Sequence, residues 1–331
     1  MFVYLYIDDL SFTRDDFIMI QDFKQSMVKE FEMIDLGLMT YFLGIKVKWC
    51  SNEIFISQIK YAAEVLKKFA MEDYQLIDNP VEHRIKLTKE REWDLVNPTY
   101  YKSITGCLRY LTCARLYILF GVGLIRWYIE RPRSSHLKAT KRILCFVKGS
   151  LSYSLFYSFS QNLKITGYND SDWVGNLEDR KNTTGFVFYM ENATFTWSSK
   201  KQSIVALSTC QAEYIVATSC VCHAIWLRKL LEDLQQKQNE ATKIFIVNKS
   251  AIALAKDPVH HECSKYIDTC FYFIREHVKE EDVKLVHFRT YEQVVDIVTK
   301  PLKTNMFCYL QKKLGVIKMN ETSLRGENVG D

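Results

Sequence analysis

Three carboxylates in the second half of the chain have the types and positions that a metal site needs. Asp170 ends a predicted strand in GYNDSDW, Glu213 lies in the first turn of a long predicted helix, and Asp296 lies at the start of a C-terminal helix. Carboxylates at a strand end and on two helices can converge on hard cations such as Mg²⁺, which prefer oxygen ligands. Two such ions activate a water and stabilise the leaving oxygen in phosphodiester cleavage. Composition alone favours the alternative in which each carboxylate is a cap or a solvated charge.

A second acidic feature opens the chain. The segment MFVYLYIDDLSF places Asp8 and Asp9 side by side within an apolar, β-prone run. Strand interiors disfavour aspartate, and neighbouring acidic side chains repel each other. The pattern therefore predicts two short strands, residues 2–7 and 10–12, joined as a hairpin with an acidic tip.

Hydrophobic periodicity predicts the elements that would position these carboxylates. The first half contains a helix over 16–32, strands in YFLGIKVKW and EIFISQ, a helix in YAAEVLKKF, and mainly helices over 100–149. The last of these helices, 136–148, has a basic face. This face fits two interpretations equally well, namely contact with phosphates and ordinary exposure to solvent. After residue 160 come three strands, a long helix over 208–234, a strand KIFIV, two helices, a strand DVKLVHF and a short helix, which together are typical of a mixed α/β domain.

Composition limits the class of protein. A length of 331 residues predicts two or three domains, and the net charge of +5 permits nucleic-acid binding without demonstrating it. The ten cysteines include no CxxC pair, which favours reduced thiols. Asp8 and Asp9 interrupt the one candidate signal peptide, and the longest apolar run, 117–125, is far shorter than the ~20 residues of a membrane helix. The chain is therefore predicted to be cytoplasmic or nuclear, not secreted, and without a membrane partner.

Several longer motifs resemble the Pol polyproteins of Ty1/copia-type retrotransposons. Five segments resemble the ribonuclease H domain of these polyproteins in order and spacing. They are TGYNDSDWVGNLEDRKNTTGFVFYM, TWSSKKQSIVALSTCQAEYIVATSCVCHAIWLRKLL, VNKSAIALAKDPVHHECSKYID, FYFIRE and EQVVDIVTKPL. Upstream, YIDDL, MIDLGLMTYFLGIKV, ISQIKYAAEVLKKF and HLKATKRIL look like the end of the same family's reverse transcriptase. The resemblance implies an α/β fold, namely a ribonuclease H-like mixed sheet flanked by helices, preceded by a partial reverse-transcriptase palm and a thumb or connection.

The resemblance also implies a division of the chain into four parts. These are a truncated palm end at 1–80, a thumb- or connection-like helical region at 81–158, a ribonuclease H-like domain at 159–315 and a disordered tail at 316–331. The third part would cleave the RNA strand of an RNA–DNA hybrid with Mg²⁺. Carried over position by position, the family's catalytic metal ligands match Asp170, Glu213 and Asp296.

One catalytic position is lost on the same comparison. The family's remaining aspartate stands directly after the strand KIFIV, where this chain has Val247. A valine supplies neither charge nor ligand oxygen, so metal affinity and rate should both fall. Further departures at 114–118, Tyr266, Cys270 and Tyr272 are typical of relaxed selection. Hybrid cleavage is therefore predicted to be weak or absent.

The polymerase site is interpreted as a remnant. Asp8 and Asp9 match the family's YVDD box, the hairpin tip that helps to hold the polymerase metals. A polymerase of this family also needs an earlier aspartate, the fingers and the nucleotide-binding part of the palm, all of which would precede Met1. Primer extension by this chain is therefore not expected.

Hydroxyls and cations on two predicted hairpin turns are candidates for binding the backbone of the hybrid. They are Arg180, Lys181, Thr183 and Thr184 in RKNTTGF, and Ser198, Lys200 and Lys201 in SSKKQ. Without the resemblance, the same residues are ordinary turn chemistry. A zinc site at His260, His261 and Cys263 is not favoured, because no second ligand pair is correctly spaced nearby.

Two functions of other classes stay open beside a weak nuclease. The chain can be a non-catalytic module that holds RNA–DNA hybrid through its basic and hydroxyl groups. Salt-dependent binding without cleavage would identify such a module. The chain can also be the product of a decayed transposon, without any function.

Overall fold

The fold is mixed α/β, as predicted, in a computed structural model that describes residues 1–13, 16–85, 87–88, 94–159, 163–172, 180–256 and 265–319. The strands are β1 (Phe2–Tyr6), β2 (Asp9–Thr13), β3 (Tyr41–Phe42), β4 (Ile45–Cys50), β5 (Glu53–Ser57), β6 (Tyr153–Ser158), β7 (Ile165–Asp172), β8 (Thr183–Met190), β9 (Ala193–Lys201), β10 (Thr242–Ile246), β11 (Val283–His287) and β12 (Val316–Lys318). The helices are α1 (Phe17–Glu30), α2 (Ile59–Lys68), α3 (Pro98–Leu111), α4 (Leu119–Arg126), α5 (Ser134–Gly149), α6 (Thr209–Asp233), α7 (Lys249–Lys256), α8 (Lys265–Lys279), α9 (Asp296–Thr299) and α10 (Thr304–Lys313).

The predicted N-terminal hairpin with an acidic tip is confirmed. β1 and β2 pair antiparallel, with Tyr6 opposite Asp9 at the closed end. The hairpin contacts the neighbouring sheet through Tyr4, whose ring centroid lies 6.0 Å from that of Phe42. α1 follows, capped by Asp16, whose carboxylate accepts hydrogen bonds from the first helical N–H groups.

One antiparallel sheet joins three distant parts of the chain, in the strand order β12-β6-β5-β4-β3. The position of β6 between β12 and β5 makes this possible, because Leu155 is the pairing partner of both Ile56 on β5 and Val316 on β12. The three parts are those predicted as the palm end, the helical region and the C-terminal tail. They therefore share one sheet rather than forming separate layers.

The predicted disordered tail is wrong at its beginning. Residues 316–318 form β12, and the N–H of Met319 donates to the carbonyl of Ser152 over 3.0 Å. Two consecutive β-branched residues, Val316 and Ile317, favour this strand, and Val316 buries its side chain in the core. Residues 320–331 lie outside the described part of the chain.

Deletion of β12 should destabilise the protein. A chain ending at Gly315 loses the buried side chains of Val316 and Met319 and leaves one edge of β6 unpaired. Burial of two such side chains is worth about 3 kcal/mol or more, so a clear drop in melting temperature is expected. The matched control ends at Met319 and should melt like the full chain. Equal melting of both truncations would contradict this role for β12.

A second, mixed sheet has the strand order β11-β10-β7-β8-β9. β7, β8 and β9 are antiparallel neighbours, whereas β10 lies parallel to β7 on one side and to β11 on the other. One face packs against α6, and the other packs against α4 and α9. The carboxyl ends of β7 and β10 therefore lie at the same edge of the sheet.

The helix α6 is long and apolar enough to cross a membrane by length and composition alone. Here it lies across the mixed sheet, and its buried side chains, such as Val221 and Leu227, belong to the same cluster as Phe188 and Ile244 of the strands. This burial accounts for the apolar composition of α6. The predicted lack of a membrane partner stays a prediction.

The opposite face of the mixed sheet shares a hydrophobic core with the helical region. Val187 of β8 and Val298 of α9 lie in one cluster with Leu108 and Ile118. A hydrogen bond reinforces the contact, because the indole Nε1–H of Trp197 donates to the carbonyl of Thr112 over 3.1 Å. The helices of the middle region thus pack against this face of the mixed sheet.

Candidate active site

Asp170 is held at the carboxyl end of β7 by close packing against α9. Gly185 is its pairing partner on β8. If residue 185 had a β-carbon, that atom would lie 2.9 Å from the side chains of Thr299 and Val298. The absence of a side chain at Gly185 therefore allows α9 to approach the strand. Asp170 itself is only 5% exposed.

The short helix α9 brings Asp296 and Lys300 to the same place. Thr299 donates its hydroxyl proton to Oδ2 of Asp170 over 2.6 Å. Lys300 Nζ lies 2.8 Å from Oδ1 of Asp296 and 3.5 Å from Oδ2 of Asp170. A single ammonium group thus lies between two of the predicted metal ligands.

Glu213 reaches this group from α6 on the other side of the sheet. Ser208 caps the helix by accepting a hydrogen bond from the N–H of Gln211 over 3.1 Å. Glu213 is the fifth residue of α6, one turn later than predicted, and is 8% exposed. Its Oε2 is buried without a hydrogen-bond partner among the described residues. The backbone of Ser171 donates a hydrogen bond to the same carboxylate.

The carboxylates of this site repel one another when they are ionised. Burial, together with the charge of Asp170, raises the pKa of Glu213 to about 8 and that of Asp296 to about 7. Burial raises the pKa of Asp172 to about 6, with Asp170 again contributing and Lys300 opposing. Burial alone would lower the pKa of Lys300, but the surrounding aspartates outweigh it and the net pKa is raised. The site therefore holds more negative potential than one lysine offsets.

Val247 lies where the comparison of motifs placed it. It directly follows β10, at the same edge of the sheet as Asp170, because β10 runs parallel to β7 with Phe245 opposite Tyr168. The side chain is partly buried. The side chain at this position therefore offers a cation no ligand oxygen.

The residues present fit a hard divalent cation such as Mg²⁺. The donors are all carboxylate oxygens, and one of them, Oε2 of Glu213, is buried without a hydrogen-bond partner among the described residues. Asp170 and Asp296 both contact Lys300, and Glu213 interacts electrostatically with all three; that the three carboxylates hold a metal stays a prediction. A cation bound between Asp170 and Asp296 would compete with the ammonium group of Lys300.

Two members of the site are not among the residues predicted from the sequence. Lys300 stands four residues after Asp296, a spacing that places both on one side of a helix. Asp172 stands two residues after Asp170, a spacing that places both on one face of a strand. Both signals are present in the sequence, but each depends on the exact bounds of a short element.

The candidate hybrid-binding residues meet at the same edge of the sheet. Lys201 pairs with Thr183, which pairs with Asp172, and the next row contains Lys200, Thr184 and Ser171. Of the seven predicted residues, five lie within strands rather than in turns, contrary to the prediction, because the ladder of β8 and β9 extends this far. These five are Thr183, Thr184, Ser198, Lys200 and Lys201.

The exposure of these seven residues differs. Arg180 and Lys200 are exposed, whereas Thr183 is buried. The hydroxyl of Thr184 donates to the carbonyl of Lys200 over 3.1 Å. Lys201 Nζ lies 4.1 Å from the ring centroid of Trp127, a cation–π contact. The exposed pair is therefore the better placed to meet a phosphate. Lys181 and Ser198 are partly buried.

The remaining candidates are not part of this group. Asp8 and Asp9 lie exposed at the tip of the β1–β2 hairpin, which forms a two-stranded sheet of its own. The unfavoured zinc candidates His260, His261 and Cys263 lie outside the described residues.

Sequence comparisons agree with the motifs. The family model for reverse transcriptase (RNA-dependent DNA polymerase) matches residues 1–83. A retrovirus-related Pol polyprotein from the tobacco transposon TNT 1-94 is 33% identical over 321 residues, covering 94% of this chain and 24% of the tobacco protein. A putative transposon Ty5-1 protein from Saccharomyces cerevisiae is 30% identical over 227 residues, covering 67% of this chain and 73% of the yeast protein. The chain belongs to the Pol proteins of Ty1/copia-type retrotransposons.

This Pol chain spans about a quarter of the tobacco polyprotein that it matches. Among solved structures, LC11-RNase H1 in complex with RNA/DNA hybrid is similar over 41% of this chain and 94% of that chain, with 18% identity and a TM-score of 0.31. The sequence relatives confirm the predicted family membership, and the strand pairing of the structure itself shows the mixed α/β fold.

Proposed function

We propose that the mixed-sheet part of this Pol chain binds RNA–DNA hybrid and cleaves its RNA strand only weakly, with Mg²⁺. The observation that carries the proposal is the convergence of Asp170, Glu213 and Asp296 at one edge of the sheet. Their oxygens come from a strand and two helices on both faces, an arrangement that local capping or solvation does not require. The family membership supplies the substrate class.

Each residue has a defined part in this proposal. Asp170, Glu213 and Asp296 would hold Mg²⁺, which lowers the pKa of a bound water and stabilises charge on the leaving oxygen. Thr299 fixes the rotamer of Asp170 through its hydrogen bond. Lys300 neutralises part of the charge until the cation enters. The cationic side chains of Arg180 and Lys200 would contact phosphates of the hybrid beside the site.

The weakness of cleavage follows from Val247. Val247 offers no side-chain ligand at the carboxyl end of β10, so Mg²⁺ would be held by fewer oxygens and its bound water would be less well oriented. We also propose that the chain does not extend primers, because the family's polymerase site needs a further aspartate besides the YVDD pair that Asp8 and Asp9 match.

A non-catalytic hybrid-binding module is the second candidate. The ion pairs of Lys300 with Asp170 and Asp296 favour it, since they offset part of the charge of these two carboxylates without any metal. This candidate expects salt-dependent binding of the hybrid with no cleavage above background. A relic without function expects neither.

Substitution of Val247 by aspartate tests the proposal. We expect the Val247→Asp chain to cleave an RNA–DNA hybrid in Mg²⁺ about 100-fold faster than the chain with Val247, because a lost metal ligand returns. The measurement is single-turnover cleavage of a labelled hybrid. Val247→Asn is the matched control, because asparagine has the shape of aspartate but no charge. Its cleavage rate should rise much less.

Two results would count against the proposal. Equal cleavage by the parent chain and the Val247→Asp chain shows that the position does not limit the rate. Cleavage that survives Asp170→Asn shows that the activity arises elsewhere.

A further inference from the structure

Asp172 is a fourth carboxylate at the site, and nothing in the proposed mechanism uses it. It is the last residue of β7 and lies on the same face as Asp170, because side chains two residues apart on a strand point the same way. We propose that Asp172 is a metal ligand, and that with Asp170 it supplies to one divalent cation the oxygen that Val247 cannot provide. This inference rests on the proposed metal site but not on hybrid cleavage.

The strand geometry suits a shared cation. Residues two apart on a strand have Cα atoms separated by about 7 Å. Two aspartate side chains on the same face can incline toward each other across that distance and bind one ion at the usual metal–oxygen distances of about 2.0–2.6 Å. The ladder keeps this part of β7 regular, since Asp170 pairs with Gly185 and Asp172 pairs with Thr183.

The charges show that Asp172 belongs to the cluster. Lys300 is attracted electrostatically to Asp172 as well as to Asp170 and Asp296. Asp172 in turn feels the repulsion of Asp170 and the attraction of Lys300. Four carboxylates thus surround one ammonium group, an excess of acid that a divalent cation would relieve.

Glu213 provides an independent indication of a ligand here. The side chain is more than nine-tenths buried, yet its Oε2 has no hydrogen-bond partner among the described residues. A buried polar oxygen without a partner is costly. Its carboxylate interacts with Asp170, Asp296 and Lys300, so a cation among these groups would satisfy it.

A purely structural role for Asp172 is the alternative. In that case Asp172 serves only as a counter-ion of Lys300, and its replacement alters stability without altering metal binding. The two roles differ in the affinity of the full chain for a metal, which can be measured without any nucleic acid.

Binding of Mn²⁺, followed by the loss of its free-ion paramagnetic resonance signal, tests the proposal on the full chain. We expect one ion to bind and Asp172→Asn to weaken its affinity at least ~10-fold, as loss of a charged oxygen ligand does. Asp233→Asn, at an exposed position on the last turn of α6, is the control and should bind like the parent. Melting curves without metal establish that both variants are folded.

The double variant Asp172→Asn/Val247→Asp makes the test specific. If Asp172 stands in for the missing ligand, an aspartate in place of Val247 should recover most of the affinity lost in Asp172→Asn. Unchanged Mn²⁺ affinity in Asp172→Asn, or no binding by the parent chain, overturns the proposal. Failure of hybrid cleavage with Mn²⁺ binding intact would instead count against the proposed function alone.

Discussion

Replacement of Arg115 by alanine is expected to lower the free energy of unfolding by about 3–5 kcal/mol, because buried hydrogen bonds are lost and a cavity opens. Arg115 is 1% exposed. Its Nη1 donates to the carbonyl of Ser150 over 2.6 Å and to the hydroxyl of Tyr117 over 2.9 Å, and its Nη2 donates to the carbonyl of Leu151 over 3.0 Å. Alanine removes one donor from each of these acceptors and opens a cavity.

The position of Arg115 makes this network important for the whole molecule. It links the turn before α4 to the chain just after α5, and α4 packs against both α5 and the mixed sheet. Urea unfolding gives the free energy directly. Arg126→Ala is the matched control, because Arg126 is exposed on α4, and it should change stability by less than about 0.5 kcal/mol. Similar losses for both variants would contradict the assigned role of Arg115.

The same network modifies the interpretation of one departure from the family pattern. The segment 114–118 differs from the family, a difference that is typical of relaxed selection. In the structure Leu116, Tyr117 and Ile118 are all buried, and Arg115 donates to three neighbouring groups, whereas its Nε has no partner among the described residues. The segment is therefore packed into the core despite its departure from the family pattern. Sequence departure alone does not indicate loss of fold here.

Local sequence patterns predict the helices and strands well, but they do not predict which distant strands pair. The hairpin around Asp8 and Asp9, the capped helix α6 and the start of α9 at Asp296 each follow from periodicity and end signals within one segment. The pairing of β6 with β12 joins residues about 160 positions apart, and no local signal in either strand specifies its partner. The polar composition of the tail predicts disorder and hides three residues with strand character.

The candidate site divides in the same way. Asp170, Glu213 and Asp296 can be assigned because each stands in a long motif of the family. Lys300 and Asp172 become visible only when α9 and β7 have definite ends, since their roles depend on which face each side chain occupies. The hydroxyls of Thr183 and Thr184 are predicted in a turn because composition does not reveal how far a ladder extends.

The metal-free protein is expected to lose stability as the pH rises from about 5 to 8. Burial, with the charge of Asp170, raises the pKa of Glu213 from 4.5 to about 8 in the folded state. The stabilising contribution of the protonated group is therefore complete below pH 4.5 and is lost as the pH approaches 8. One pH unit within this window is worth about 1.4 kcal/mol for one group, so a decrease of several kcal/mol is expected. Asp296 and Asp172, with pKa values raised to about 7 and about 6, change stability in the same direction.

Glu213→Gln isolates the contribution of this one residue. Glutamine keeps the shape of the protonated acid and cannot ionise, so stability measured by urea unfolding should vary less with pH and should exceed that of the parent chain at pH 8. Addition of Mg²⁺ should stabilise the parent most at pH 8, where the ligands are most readily deprotonated, and should stabilise Glu213→Gln much less. If the parent and Glu213→Gln show the same slope of stability against pH, Glu213 is not the buried acid that the structure indicates. If Mg²⁺ also stabilises the parent chain and Glu213→Gln equally, the cation does not bind at Glu213.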